Sequence, residues 1–570
     1  MKHVLKYLFI LHFFCQIVVQ GQTNYEQIKS NGVIPPDFIL SPSKKYDILF
    51  DSVSKNISNK ERSLKLDFYK NSIYFNDFLV NSGKVCFNTE LNKTINKIAD
   101  HLLSNDPELR SQLTFYILKS VEENAFTLNN GVIFINIGLL ANIETEAQLA
   151  FIISHEISHY EKKHVINGYI HDKKIIDGED NYKRLNYDEK RISISKYSQQ
   201  IEIIADSIGF DYFIKAGYNP KEAENALRYS LISNMSSATD SFTLDFLEKG
   251  ILKLPNKYIL ENIRHIKDTK ENSNLYSTHP EISTRIQLIK EHGGYSIDKS
   301  LKSFITCSEK EIYHLKEKSR FELVHLYLQN ADFERTIHLC YLLKKDYPED
   351  QSLNTAMGIA LFQIASYKNN SDFQDIHHDF ENESNSMHQI AYLFENLSPF
   401  ETTLVATNYL WNLKKEYPQN EIITNLSNEI IRQLAFDYDR EIRNIHDEIC
   451  SGCDYVVAAT DWLMKNALFQ KIYNHYVLEK EKLQKEKEEL INNKEKRKKI
   501  AKENEQIKKN GRALGIDTIV IVNPMCKIVQ KGKVKFNWGV TEKSRDLLTN
   551  AILSNSQKTG LKLELLDIKS

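Results

Sequence analysis

Two histidines four residues apart enclose a glutamate in the run His155-Glu156-Ile157-Ser158-His159. On a helix both imidazoles project from one face, one turn apart, and can share a single metal ion. Glu156, next to the first histidine, can then take a proton from a metal-bound water, which is the chemistry of metal-assisted hydrolysis carried by an HExxH pattern. Taken alone, the same five residues also fit a core helix whose histidines only satisfy hydrogen bonds. Their surroundings favour the metal. The apolar run Ala150-Phe151-Ile152-Ile153 precedes them, and Thr145 stands as an N-cap with Glu144 and Glu146 near the positive end of the helix dipole. Leu149, Ile152, Ile153 and Ile157 supply a buried face, so a helix is expected over about residues 145–164.

The third ligand decides the class of site. A metzincin needs a glycine and a third histidine at fixed offsets after the second histidine, and those positions hold Lys162 and Val165. Further on, Ile201-Glu202-Ile203-Ile204-Ala205-Asp206 opens an amphipathic segment that continues through Ile208, Phe210 and Phe213. Glu202 can complete a His, His, Glu set and leave a fourth position to water. Asp206, on the same helical face, can accept the free ring N–H of a ligand histidine. Small Ala205 lets the two helices approach. The plain alternative for Glu202 is a solvated helix charge, although acidic residues in an Ile-rich stretch usually have a partner.

With a third element, Ser277-Thr278-His279-Pro280 followed by Arg285-Ile286, the chain resembles the HtpX-like gluzincins, peptidase family forty-eight of clan MA. The stretch Asn124-Ala125-Phe126-Thr127 through Gly131 to Ile135 is similar to that family's turn and strand before the metal helix, and His164 matches a histidine common in its pattern. The resemblance covers roughly residues 85–295. It implies one zinc ion per chain held by His155, His159 and Glu202, with Glu156 as general base. It also implies that His279 lies at the active site, as an occasional fourth ligand or as a hydrogen-bond donor, and that Arg285 helps orient that region. A Thr-His-Pro turn can equally be a plain loop with a solvated histidine.

The elements that must position these residues sit in a chain of 570 residues, long enough for roughly two to four domains. A formal net charge of −2 gives no global electrostatic reason to expect nucleic acid as a partner. Lys2 and Lys6 before the apolar run Tyr7 to Val19 read as an export signal, residues 1–22, cleaved near Gln22. No later segment reaches the apolar length of a membrane span, which separates the chain from the membrane-spanning branch of the family and points to its soluble periplasmic branch, in the periplasm or cell envelope. Cys450-Ser451-Gly452-Cys453 has CxxC spacing, best read as a local disulfide or free thiols.

The expected class is mainly α. An N-terminal segment, 23–84, precedes a gluzincin domain of helices and a small sheet, 85–300. Within it, Ile95–Leu102 and Leu109–Val121 read as helices and Val132–Ile135 as a strand whose edge could pair with an extended substrate. Residues 167–195 read as an exposed, charge-rich insertion, and 221–266 as mostly helical. From 309 to 475 helix pairs resemble tetratricopeptide units, with Leu-Lys-Lys-Asp-Tyr-Pro ending at Pro348 echoed by Leu-Lys-Lys-Glu-Tyr-Pro ending at Pro418. An unrelated helical bundle is the alternative. His377-His378 reads as surface loop. A charged linker, 476–511, leads to a small α/β module, 512–570, with strands near 518–524, 533–538 and 561–566 and a helix over 541–556.

Three functions are therefore open at this stage, the third and weaker being a zinc hydrolase acting on something other than peptides. The first is a zinc endopeptidase acting on protein or peptide substrates, in protein quality control or processing, with an envelope partner recruited by the repeats. The second is a repeat-bearing scaffold or chaperone with a latent peptidase site.

Overall fold

The computed structural model describes residues 25–445 except 26, 54–56, 233–242, 249–251, 253, 265–278 and 294–300, together with scattered positions between 470 and 485 and three strands within 518–536. The chain divides into two compact units, and the metal-helix region lies in the one spanning Gln20–Ile472. The protein is mainly helical with a small mixed sheet.

That sheet has four strands, β1 (Val85–Cys86), β2 (Thr114–Leu118), β3 (Ala125–Thr127) and β4 (Val132–Asn136), in the order β1-β2-β4-β3. β2 and β4 run parallel, with Phe115 opposite Ile133, and the other pairs are antiparallel. The segment 109–121, expected to be helical, is only a short turn of helix at Pro107–Ser111 followed by β2. Its Thr-Phe-Tyr-Ile-Leu core is β-branched and aromatic, and it fits a pleated surface buried on both faces better than a helix. β4 is flanked by β2 and β3, so it is not the edge strand it was expected to be; the open edge belongs to β3.

Side-chain alternation gives the sheet two buried faces. Phe134, Tyr116, Leu118 and Val132 point one way into a cluster with Leu79, Val85, Phe87 and Leu128. Phe38 and Leu79 belong to the N-terminal segment, so the helix α1 (Asn59–Val80) and the residues before it cover that face. Ile117, Ile133 and Ile135, fully buried, point the other way, where helices α2 (Glu90–Leu102) and α3 (Glu146–Glu161) pack. α2 starts at a capping box in which Thr89 and Asn92 satisfy each other's backbone N–H groups.

α3 begins where expected, the Thr145 hydroxyl accepting from the Gln148 N–H. It stops at Glu161, because Lys163 adopts a left-handed conformation (φ 53°), and His164 opens a separate helix, α4 (His164–Ile176). A long helix α5 (Tyr187–Lys215) follows, nucleated by an Asn186–Glu189 capping box. The stretch 167–195 is thus mostly helix, since Ile166, Ile170 and Ile175 give α4 a face to bury. α5 crosses closely over α3. Beyond α6 (Pro220–Ile232) the described residues of 243–264 form two short 3-10 turns in place of the expected helix. α7 (Ile282–Gly293) then returns against α5 and α6.

Glu146, in the first turn of α3, is fully buried and does more than complement a dipole. Its carboxylate accepts from the Tyr218 hydroxyl at 2.6 Å and from the Ile305, Thr306 and Cys307 N–H groups at 2.7–3.0 Å. It therefore anchors the start of the metal helix to the segment that enters the helical region.

That region consists of α8 (Glu309–Gln329), α9 (Phe333–Leu343), α10 (Gln351–Asn369), α11 (Asn385–Asn396), α12 (Pro399–Glu416) and α13 (Glu421–Ile445). α8, α9, α10, α12 and α13 pack mainly in succession around a core that includes Met357, Phe362, Phe394 and Leu410. His377 and His378 are not surface loop. His377 is buried 2.8 Å from Glu334 and His378 lies 2.9 Å from Asp332, because acidic residues at the start of α9 need partners in a water-poor setting.

Cys86, Cys307 and Cys340 are buried free thiols. In the second unit, β5 (Thr518–Val522), β6 (Met525–Gln530) and β7 (Lys533–Phe536) form an antiparallel sheet in chain order, β6 being an additional strand. The export signal, most of the charged linker, Cys450, Cys453 and the last helix and strand lie outside the described residues. Among the described residues no helix is long and apolar enough to cross a membrane.

Candidate metal centre

One turn of α3 and one turn of α5 bring three donor atoms together. His155 Nε2 and His159 Nε2 lie 3.0 Å apart, and the Glu202 carboxylate oxygens lie 3.7 Å from the first and 3.5 Å from the second. Tetrahedral ligands at zinc-like bond lengths of about 2.0–2.2 Å would be separated by roughly 3.3–3.6 Å. The three atoms thus already have close to the spacing that one small dication imposes, and among the described residues this is the group that could hold a metal ion.

Ring orientation is fixed from behind. His155 Nδ1 sits 2.9 Å from Asp206 Oδ1, and His159 Nδ1 sits 3.2 Å from His164 Nδ1. With the protons on Nδ1, both Nε2 lone pairs point into the cluster. Arg285 grips Asp206 from α7 with two hydrogen bonds, Nε to Oδ2 at 2.6 Å and Nη2 to Oδ1 at 2.7 Å. Its Nη1 is 3.8 Å from Glu202. His279 is two-thirds exposed (66%), and its Nδ1 lies 3.2 Å from Glu202 Oε2, outside the three-donor group.

Burial drives the His159 imidazole down to about 3, with the charge of His155 adding to the effect, so this ring is a neutral donor at any ordinary pH. Burial acts on His155 too, but the Asp206 carboxylate more than offsets it and its pKa is raised. Glu202 is held far below the usual carboxylate range: burial opposes this, and the His279 hydrogen bond with the charges of His155, His159 and Arg285 outweighs it. Asp206 is lowered in the same sense by Arg285 and His155, against its burial.

Glu156 has the opposite character. Burial pushes its carboxyl up to about 7, where a group can both accept and return a proton at neutral pH. The Thr127 hydroxyl holds it from the edge strand, 2.8 Å from Oε2 and 2.9 Å from the main-chain oxygen of Glu156. Sequence reasoning missed Thr127, although it lies in the Asn124–Ile135 segment; only its place on the edge strand reveals the contact. Gly209 was missed as well. A Cβ there would lie 2.9 Å from His155 N, so the close crossing of α5 over α3 depends on glycine as well as on Ala205.

Comparison with known proteins agrees with this geometry. Residues 85–175 and 188–292 match the model of Peptidase family M48. That region is similar to an M48 peptidase domain. The match breaks between 175 and 188, at the turn joining α4 to α5. The chain is also 27% identical over 84 residues to the beta-barrel assembly-enhancing protease of Yersinia pestis. It is 26% identical over 87 residues to a Vibrio cholerae serotype O1 protein provisionally given the same name. Each alignment takes in 15% of this chain, and the chain spans under a fifth (17% and 18%) of the length of these relatives. The matched region comprises the sheet from β1 onward and helices α2 to α7, whereas α1 and the helices from α8 on lie outside the match.

Proposed function

We propose that the protein is a zinc-dependent endopeptidase acting on protein substrates in the cell envelope, in processing or quality control. The convergence of His155, His159 and Glu202 at near-tetrahedral separations carries this reading. A zinc ion held by these three side chains would polarise the scissile carbonyl and make a water acidic enough to attack it. Glu156 accepts the attacking water's proton and delivers it to the leaving amine, and Thr127 keeps its carboxylate aimed at the cluster. Asp206 and Arg285 hold His155, while His164 holds His159. An extended substrate pairs with the open edge of β3, next to Glu156.

The envelope assignment draws on the export-signal pattern at residues 1–22 and on the likeness to proteases named for β-barrel assembly. The helices α8 to α13, read as tetratricopeptide-like repeats over 309–475, recruit the client or an assembly partner; 476–511 serves as linker and 512–570 as a separate module. The test is zinc stoichiometry together with cleavage of an unfolded protein. One zinc per chain, lost on His159→Ala along with cleavage, is expected. Full zinc binding without His159 would overturn the ligand set.

Two further outcomes follow from the site. Glu156 must be ionised to act as base, so kcat/KM should fall about tenfold per pH unit below its pKa. A bound dication pulls that pKa below the value of about 7 set by burial, so the acid limb should lie at or below pH 7. A profile flat down to about pH 4, with zinc still bound, would remove Glu156 from this role. His279→Ala removes an exposed hydrogen bond to Glu202 without touching the three donors, and a loss of about tenfold or less in kcat is expected. A gain would show instead that His279 covers the site.

A further inference from the structure

We infer that Phe75 of α1, with Phe126 of β3, forms a subsite that selects a large apolar side chain of the extended substrate. The inference rests on the peptidase reading above and adds a specificity element to it.

The argument starts from register. Leu128 N–H donates to Val132 and Asn136 N–H donates to the Asn124 carbonyl, so residues 124, 126 and 128 are the ones bonded to β4. The antiparallel alternation therefore turns the N–H and C=O groups of Ala125 and Thr127 toward the outer edge. Among the described residues no backbone hydrogen bond from beyond the sheet reaches them. A substrate segment that pairs there continues the pleat, and its side chains alternate between the two faces of the sheet.

One face is the catalytic one, since Thr127 points to Glu156. The other is marked by Phe126, whose ring stacks on Phe134 at 5.2 Å. On this second face the Phe75 ring lies 6.4 Å from that of Phe126 yet remains 45% exposed. Aromatic groups left open to water beside an unfilled sheet edge lose apolar area only when something lies over them. α1 cannot swing away to cover them. Phe68, Ile73, Leu79 and Val80 are buried, Phe68 packs on Tyr169 of α4, and Lys45 pairs with Asp77. The stripe is thus a fixed wall continuous with the strand that leads into the metal centre.

The occupant this geometry fits is an extended peptide with Leu- or Phe-like residues at alternate positions. α1 lies outside the residues matched to the family.

The test uses the full-length Glu156→Gln protein loaded with zinc, so that binding is read without turnover. A single Phe is walked through a Ser/Ala dodecapeptide, and affinity is measured by fluorescence anisotropy. Affinity should rise about tenfold at positions of one parity, a factor that fits partial burial of one aromatic side chain. Phe75→Ser and Phe75→Ala in the same background should flatten that alternation, while Tyr187→Ser, an exposed aromatic on α5, should not. In the active enzyme the same substitutions should raise KM for the Phe peptides with little change in kcat. An alternation that survives Phe75→Ser, or none in the parent protein, overturns the subsite. If the alternation is present and lost on Phe75→Ser but no peptide is ever cleaved, the subsite stands and the peptidase reading fails.

Discussion

Glu156→Gln should leave zinc binding intact and reduce peptide cleavage by about 10²–10⁴-fold, the range over which general-base catalysis operates. The substitution is nearly isosteric, and Glu156 is not among the three converging donor atoms. Its carboxylate is buried beside Thr127, whose hydroxyl can donate to the glutamine oxygen as it does to Oε2. The amide cannot accept a proton at neutral pH, so the attacking water keeps its own. Thermal stability of the metal-free protein should be unchanged or slightly higher, because a carboxyl that burial pushes up to about 7 is partly charged at neutral pH in a site that disfavours charge. Zinc content by metal analysis and cleavage of a quenched peptide decide the matter together. Cleavage retained at the parental rate would remove Glu156 as the base. Loss of zinc along with cleavage would make it a ligand or a structural support instead.

The legibility of this site follows from how local each part is. His155, Glu156 and His159 could be read from spacing because one helical turn converts four residues of sequence into one face. Glu202 and Asp206 were legible for the same reason, and the fold places them opposite the histidines. Contacts that join distant elements left little local trace. Thr127 reaches Glu156 only because β3 is the last strand of the sheet, and the order β1-β2-β4-β3 is a property of chain crossover that no local pattern encodes. The same blindness made β4 look like an edge. β2 was misread because a five-residue apolar run has no period to tell a strand from a buried helix. His377 looked solvated among its acidic neighbours, yet its partner is Glu334, 43 residues earlier in the chain, inside the helical region. Polarity in sequence marks a need for partners, and the fold decides whether water or protein supplies them.

Gly209→Ala should damage the metal centre from a position that touches no ligand side chain. The added methyl would lie 2.9 Å from His155 N, 3.0 Å from its Cα and 3.1 Å from the Ser154 carbonyl carbon. These are backbone atoms in the middle of α3, whose neighbours Ile153, Ser154 and Ile157 are fully buried, so the helix cannot yield locally. The relief available is for α5 to move outward by several tenths of an ångström. α5 carries both Glu202 and Asp206, and Asp206 is the link between His155 and Arg285. Outward movement lengthens the His155–Asp206 hydrogen bond and takes Glu202 away from the two Nε2 atoms together. Overpacking of this kind costs about 1–3 kcal/mol, and loss of the carboxylate that orients a ligand histidine costs about 10–100-fold in metal affinity. Both should appear in one variant: a lower melting temperature of the metal-free protein and a zinc Kd raised by about that factor. Ala205→Ser, one helical turn earlier and also fully buried, probes the same crossing and should have a smaller effect in the same direction. Stability lost without any change in zinc affinity would show that the crossing of α5 over α3 sets packing alone. Zinc affinity lost with stability preserved is the cleaner sign that the glycine is there to position Glu202 and Asp206.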